Sequence, residues 1–476
     1  MAIFFREGEV KKRPGLYQRY SNIGFDSLAA ARDGICAIAI QATWGPLGVV
    51  VKHSQKSGLV KTYGSGEYSS EYTVPAAEAM FAGGATTVYT YRLGTGGVQA
   101  SLTMEGLTVT AKHPGTMPIS VAVQTKLSDN TKKQILVYMD TALVETFDFA
   151  ADTTAEGDNL IAAVAKSKYI TVTVPEGGTA PAVVPVMAVA SGALTGGENP
   201  VVTNESYSAA WAALEPYYYN TIALDKDDDE NLTLSLMLHE YLADAYQMGK
   251  LGIAVVGEKT SVEWETRLAH AADFNDFKVV YLGGGWKESD KDLDGVMAIC
   301  KTAGVIAATP SNKGITHYVI PGATDLCESL TYFQYEEAID AGMLLVSMSP
   351  DGAIWYDTGI NTLITPEETI EDDGWKKIRR TKVRFEMFDR LDRELMPKVG
   401  RISADSDGVA DVIQAGQRVL DAMANNEGKL FAGPVFAEDP ENPFEGDSAW
   451  FIIQADDIDS LEKIYLHYQF RYSQYS

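Results

Sequence analysis

The chain has 476 residues, is 46% hydrophobic and 22% charged, and carries a formal net charge of −26. This is the composition of a globular protein with room for two to four cored domains, and the acidic balance excludes a general nucleic-acid binder, which needs clustered Lys and Arg. Cys36, Cys300 and Cys327 lie far apart with no CxxC pair, which argues for synthesis in a reducing compartment; no apolar run approaches the ~20 residues of a membrane span, and no secretion signal is visible.

Residues 1–22 read as a basic arm, Arg6, Lys11, Lys12, Arg13 and Arg19 against Glu7 and Glu9 giving net +3, with Pro14-Gly15 as a turn. An α/β stretch follows: the apolar run Ile35–Ile40, a strand at Val49–Lys52, a helix opened by Pro75 with Thr73 as N-cap, and a strand at Thr86–Leu93. Glycine pairs near 96 and 196 bracket a Thr/Val-rich block with alternating runs at Leu107–Ala111, Ile119–Gln124, Gln134–Met139 and Tyr169–Val174, interrupted by one helix, Asp158–Ala165. It reads as a β-rich domain inserted into a loop, which is tolerated when the insertion's ends lie close together.

Between Asn204 and Ser349 the periodicity alternates. It predicts helices at Glu205–Leu214, Glu230–Met248, Ser261–Ala271, Asp290–Lys301 and Leu326–Ala341. It predicts strands at Tyr219–Leu224, Gly252–Val256, Lys278–Leu282, Val305–Ala308, Thr316–Ile320 and Met343–Ser347. Such alternation argues for a mainly parallel sheet. After Asp351-Gly352 come two helices, Trp375–Met396, ended by Pro397, and Asp407–Asn425. Strands near Leu430–Val435 and Ala449–Gln454 complete this part. Finally Ile464, Leu466, Tyr468, Phe470 and Tyr472 alternate with polar residues, the pattern of a half-buried strand. A strand running almost off the chain end either pairs within its own subunit or is meant for a neighbour.

Catalytic constellations fail on spacing. His239-Glu240 is followed by Ala243 where a zinc HExxH motif needs His. Asp225–Asp229 alternates carboxylates like a calcium loop but lacks its Gly and closing Glu, and reads as an acidic helix N-cap. Gly283-Gly284-Gly285 follows a strand without GxGxxG or a P-loop Lys, and remains the place where an α/β enzyme or nucleotide-binding protein would put its site. The reading is of a non-enzyme without cofactor or metal. One local charge excess stands out. Within 376–393, Lys376, Lys377, Arg379, Arg380, Lys382, Arg384, Arg390 and Arg393 outweigh Glu386, Asp389 and Asp392, net +5. It is either a solvated helix face or a basic surface for an acidic neighbour.

Several segments together resemble the tail sheath proteins of contractile phages and phage-like bacteriocins. Arg13-Pro-Gly-Leu-Tyr17 is similar to the family's arm motif, and Val88–Leu93 with its following glycines to the strand before the inserted domain. Leu107–Gly115 and Leu194–Gly197 resemble the insert's opening and exit, and Tyr207 to Asn220 the helix-to-strand step after it. Ile360–Pro366 with Trp375–Arg379, Pro397–Gly400 and Asp459–Tyr465 complete the order. Two segments depart: Arg379–Arg384 is more basic than the family pattern, and Ser403–Gly408 replaces its Asn-Asp-Gly run.

The resemblance implies a central mixed or parallel-sheet α/β domain (23–95 and 198–350), a β-rich insert (96–197) and an α+β C-terminal domain (351–454). A linking arm (1–22) and a strand arm (455–476) would be exchanged between subunits. It further implies a homo-oligomer of stacked hexameric rings around an inner tube, with baseplate and terminator as partners and no nucleic acid or membrane insertion. Such a polymer is assembled in the bacterial cytoplasm, ends in a virion tail or bacteriocin particle, and contracts from a metastable state. Arg13, Pro14, Gly15 and Tyr17 with Ile464, Leu466, Tyr468, Phe470 and Tyr472 would form the inter-subunit arms. Lys376, Lys377, Arg379, Arg380, Lys382 and Arg384 would face the tube or a neighbour. Asp456, Asp457, Asp459 and Glu462 make the last segment net −2, complementary to the N-terminal arm.

Overall fold

The computed structural model describes residues 30–289, 291–367 and 371–470, together with a parallel backbone pairing of Ile3–Phe4 with Tyr17–Gln18. Arg13, Pro14, Gly15 and Tyr472 lie outside the described residues.

At its centre Ile35–Ile40 is flanked by Thr87–Arg92 and Thr221–Ala223, so that Ile38 faces both Thr90 and Ala223 in register. Ile253–Gly257, Val279–Leu282 and Met343–Leu344 continue the sheet in parallel on one side. Val50–His53 closes the other edge antiparallel, for seven strands in all. These strands are buried on both faces and accordingly read as continuous apolar runs. One face is covered by Asn204–Leu214, Thr233–Gln247 and Trp264–Phe274, the other by Val74–Ala82 and Val296–Ala308.

The last helix corrects two expectations. Val305–Ala308, read as a strand, is the end of a helix that starts at Val296, while Lys291–Leu293 is a short strand. Val305 and Ile306 favour strands, but burial between the sheet and the helix Val74–Ala82 overrides that preference. The two helices approach so closely that a Cβ on Gly304 would sit 2.1 Å from the Met80 carbonyl oxygen. Likewise Thr316–Ile320 makes only an isolated bridge, Val319 to Trp355, and the helix expected at Leu326–Ala341 shortens to Tyr332–Asp340. Thr73 precedes its helix as expected, yet its hydroxyl bonds Asp225 instead of capping it.

The insert is a sandwich of two antiparallel three-stranded sheets. One orders Ala142–Ala150, Lys132–Met139 and Ile119–Thr125; the other Ile170–Thr173, Leu107–Ala111 and Ser101–Met104. Alternating residues such as Val109, Val121, Val137 and Ile170 fill its core beside Leu160 of the helix Glu156–Val164. Its entry and exit run side by side, with bridges Thr95–Val201 and Val98–Glu198, so the insertion leaves the parent sheet undisturbed. Arg92 fixes the joint. Fully buried, it donates to the carbonyls of Ala42 (2.9 Å), Gly45 (2.7 Å) and Pro114 (2.8 Å), and Trp44 reaches across to stack on Tyr169.

The C-terminal part packs the helix Ile378–Leu395 on Ser406–Asn425, with Val383, Met387 and Leu391 against Val419, Leu420 and Met423. A two-stranded antiparallel pair, Val435–Glu438 with Phe451–Gln454, lies on the second helix. Gly416 permits that approach: a Cβ there would meet the Phe436 ring at 2.5 Å. No strand forms at Ile464–Phe470, because no described segment of the same chain lies alongside to hydrogen-bond it.

Candidate inter-subunit arm and its anchorage

From the terminal strand pair the chain returns to the basic helix and is tied down for seven residues. The Phe431 amide donates to the Asp456 carbonyl (2.8 Å) and the Ile458 amide to that of Lys429 (2.9 Å). Asp457, nearly buried, receives Arg380 through Nε (2.6 Å) and a terminal nitrogen (2.8 Å), and Arg384 at 3.1 Å. Burial alone would raise the Asp457 carboxyl, but these arginines outweigh it and hold it below the ordinary carboxylate value. Arg379 donates to the Ser460 hydroxyl (3.0 Å), and Glu462 is held by the Thr316 hydroxyl (2.8 Å) and by Lys377.

Beyond Glu462 the anchorage stops. No hydrogen bond or ion pair joins Lys463–Phe470 to another described residue, and Ile464, Tyr468 and Phe470 are 71%, 72% and 93% exposed. The Tyr468 and Phe470 rings stack at 6.4 Å, as same-side neighbours two apart on an extended chain do. At ~3.3 Å per residue this free stretch reaches about 26 Å. Ile464–Phe470 thus presents a run of exposed aromatic and aliphatic side chains on backbone that pairs with no described residue.

The basic residues expected to face a neighbour therefore have partners at home. Lys377, Arg379, Arg380 and Arg384 grip the root of this arm, and Lys376 pairs with Asp373 at 2.9 Å. Lys382 is a clear correction. It is buried, its ammonium donating to the carbonyls of Ile306 (2.5 Å) and Thr309 at the end of Val296–Ala308, where a cation suits the helix dipole. Burial lowers its pKa to about 8. Asp457 and Glu462, whose charge complements the basic N-terminal arm, are held instead by the basic helix through Arg380, Arg384 and Lys377.

The two places where an α/β enzyme would carry a site are filled. Ligands in open parallel sheets bind where strand order reverses, here beyond Ile35–Ile40 and Thr221–Ala223. That crevice holds Asp225, fully buried and accepting from Thr73 (2.5 Å) and Tyr207 (2.6 Å), beside a cavity of about 10 Å³. Gly283–Gly285 leads into the strand Trp286–Glu288, not a helix N-terminus, and a Cβ on Gly283 would lie 2.1 Å from the Met343 sulfur. Its glycines serve packing. Asp228 and Asp229 accept amides of the first turn of Thr233–Gln247.

A cored α/β body with a β-sandwich insert and a helical C-terminal part is the architecture of the sheath tail protein fold. Residues 201–361 match the phage tail sheath protein central domain and residues 95–199 the phage tail sheath protein beta-sandwich domain; the chain belongs to the phage tail sheath proteins. It is 25% identical over 489 residues to the uncharacterized protein YqbK of Bacillus subtilis (strain 168), covering 97% of this chain and 98% of that one. The crystal structure of the sheath tail protein Lin1278 from Listeria innocua shares the fold at a TM-score of 0.70 and 18% identity, covering 90% of this chain and 96% of that one. The sheath tail protein of Desulfitobacterium hafniense does so at 0.66 and 20%, over 93% and 100%. The helical sheath of the anti-feeding prophage in its contracted state superposes at 0.52 and 12%, over 97% and 99%. Among the described residues, no helix is long and apolar enough to cross a membrane.

Proposed function

We propose that this chain is the subunit of a contractile tail sheath. It polymerises as stacked hexameric rings around an inner tube, between baseplate and terminator, and contracts from a metastable extended state to drive the tube through a cell envelope. The observation that carries this reading is the segment that leaves its anchor at Glu462 and has no partner among the described residues of its own subunit. Residues 23–95 and 198–350 then form the body, 96–197 the insert, 351–454 the docking domain and 1–22 and 455–476 the connectors.

The docking domain offers a receptor. The strand pair Val435–Glu438 and Phe451–Gln454 takes up no third strand among the described residues. Gln417 covers the first strand's edge, accepting from the Phe436 amide (2.8 Å) and donating to the Pro434 carbonyl (2.8 Å), so the open edge is Phe451–Gln454, with Ile453 exposed. A two-stranded sheet alone is marginal, and an added strand from a neighbour satisfies both its edge and the donor's backbone. Head-to-tail contacts generate rings where the rotation closes and helical arrays where it does not. Many such contacts make the polymer strong by avidity. The work is mechanical and needs no catalytic site: contraction is a switch between two packings held apart by a barrier. Sheaths such as the anti-feeding prophage's in its contracted state support a second packing of this fold. The subunit is made in the bacterial cytoplasm and ends in a phage tail or bacteriocin-like particle.

Negative-stain microscopy of the purified chain tests this. Striated tubes or sleeves are expected; a uniformly small globular species at all concentrations contradicts it.

A further inference from the structure

The roots of the two terminal segments are held by one helix. Residues 377–384, at the start of Ile378–Leu395, grip Asp457–Glu462. At its other end Arg393 donates to the Ala30 carbonyl (2.7 Å) and Asp389 pairs with Arg32. Arg32 also lies 3.7 Å over the Tyr218 ring, and its carbonyl accepts from Asn220 (2.8 Å). At 1.5 Å per residue, Arg380 and Arg393 are about 20 Å apart along the axis.

Between the two grips sits a buried charge network. Glu386 accepts from Lys429 (2.6 Å), from Ser311 and from Arg390. Arg390 forms a bidentate pair with Glu427 (2.7 Å each), which also receives Lys429 at 2.6 Å. Glu386, Arg390 and Lys429 are each more than nine-tenths buried. The network lies beside both roots. Lys429 is the residue whose carbonyl holds the Ile458 amide, while Arg32 and Asp33 line one small cavity with Lys382 and Glu386. A buried network of this kind is costly to rearrange piecemeal, because removing one partner leaves an uncompensated charge.

We propose that Glu386 and Lys429 are positioning residues that lock both arm roots to this helix, so that displacing one root is transmitted to the other. Its role in a sheath rests on the reading of the arms as connectors: a pull on the C-terminal strand by one neighbour would reset the angle at which the N-terminal arm reaches another. The coupling itself is a property of the isolated subunit and is testable without assembly.

Hydrogen exchange on the full-length, unassembled chain reads it. Asp457→Asn loosens the C-terminal root directly. Exchange should rise about tenfold at Ile458 and measurably at the Gly34 and Ile35 amides of the opposite root. In Glu386→Gln the same Asp457→Asn change should still act at Ile458 but no longer at Gly34 and Ile35. Glu386→Asp, which keeps the charge, should restore the remote response. If Glu386→Gln does not fold, Lys429→Gln carries the same expectation. A purely local response to Asp457→Asn, or a remote response that survives loss of the Glu386 charge, overturns the proposal. Absence of tubular polymers from the wild-type chain would instead contradict the sheath reading and leave the exchange result standing.

Discussion

Arg380 and Asp457 form a two-point ion pair, 2.6 and 2.8 Å, that joins the basic helix to the segment from which the terminal arm departs. It converts a local charge excess into a mechanical anchor. Asp457→Ala leaves Arg380 and Arg384 without their shared carboxylate, and the expected cost is about 1–3 kcal/mol, the penalty for a partly buried charged hydrogen-bonding group that loses its partner. Limited proteolysis should then cut within 456–462 much faster than in the wild type, while the central domain stays protected.

The same pair sets an acid limit on the anchor. The folded Asp457 carboxyl titrates below its ordinary value of 3.8, so its contribution is fully present above that pH and is lost as pH falls through the folded value. The stability difference between wild type and Asp457→Asn should be constant from neutral pH to about pH 5 and shrink below about pH 4. Denaturant midpoints measured across that range check it.

Lys382 gives the opposite slope. Its pKa falls from 10.5 to about 8 on folding, so the unfolded chain binds more protons between those values and stability rises with pH across them. Relative to Lys382→Met, the wild type should gain stability from pH 8 to 9.5. A difference that stays flat over that interval contradicts the buried placement.

Gly416 is needed for close packing. Replacing Gly by Ala in a helix ordinarily gains about 1 kcal/mol, but a Cβ here meets the Phe436 ring at 2.5 Å, and overpacking costs about 1–3 kcal/mol. The clash wins. Gly416→Val should destabilise the strand pair and weaken polymerisation, read by the thermal midpoint and by tube yield.

The parallel sheet was legible because its strands are continuous apolar runs, and the insert because its strands alternate strictly. Val305–Ala308 was not, since β-branched residues buried on all sides give no period that separates strand from helix. Ile464, Leu466, Tyr468 and Phe470 alternate as a strand does, but no strand forms there within the chain and all four are exposed. The anchorage was not legible. Arg380 and Asp457 are 77 residues apart, and nothing in local sequence says which of several acidic segments a basic helix will hold. Lys382 looked like one more surface cation because burial of a single Lys beneath a helix leaves no mark on composition.

The central claim is that the residues after Glu462 join subunits and do nothing for their own. The most direct test is a chain ending at Glu462, which keeps every described anchor contact, compared with the full chain by thermal unfolding and negative-stain microscopy. An unchanged thermal midpoint and no tubes are expected, since the described residues after Glu462 are exposed and unpartnered and losing such residues costs a monomer almost nothing. Tubes of normal periodicity from the truncated chain would contradict it.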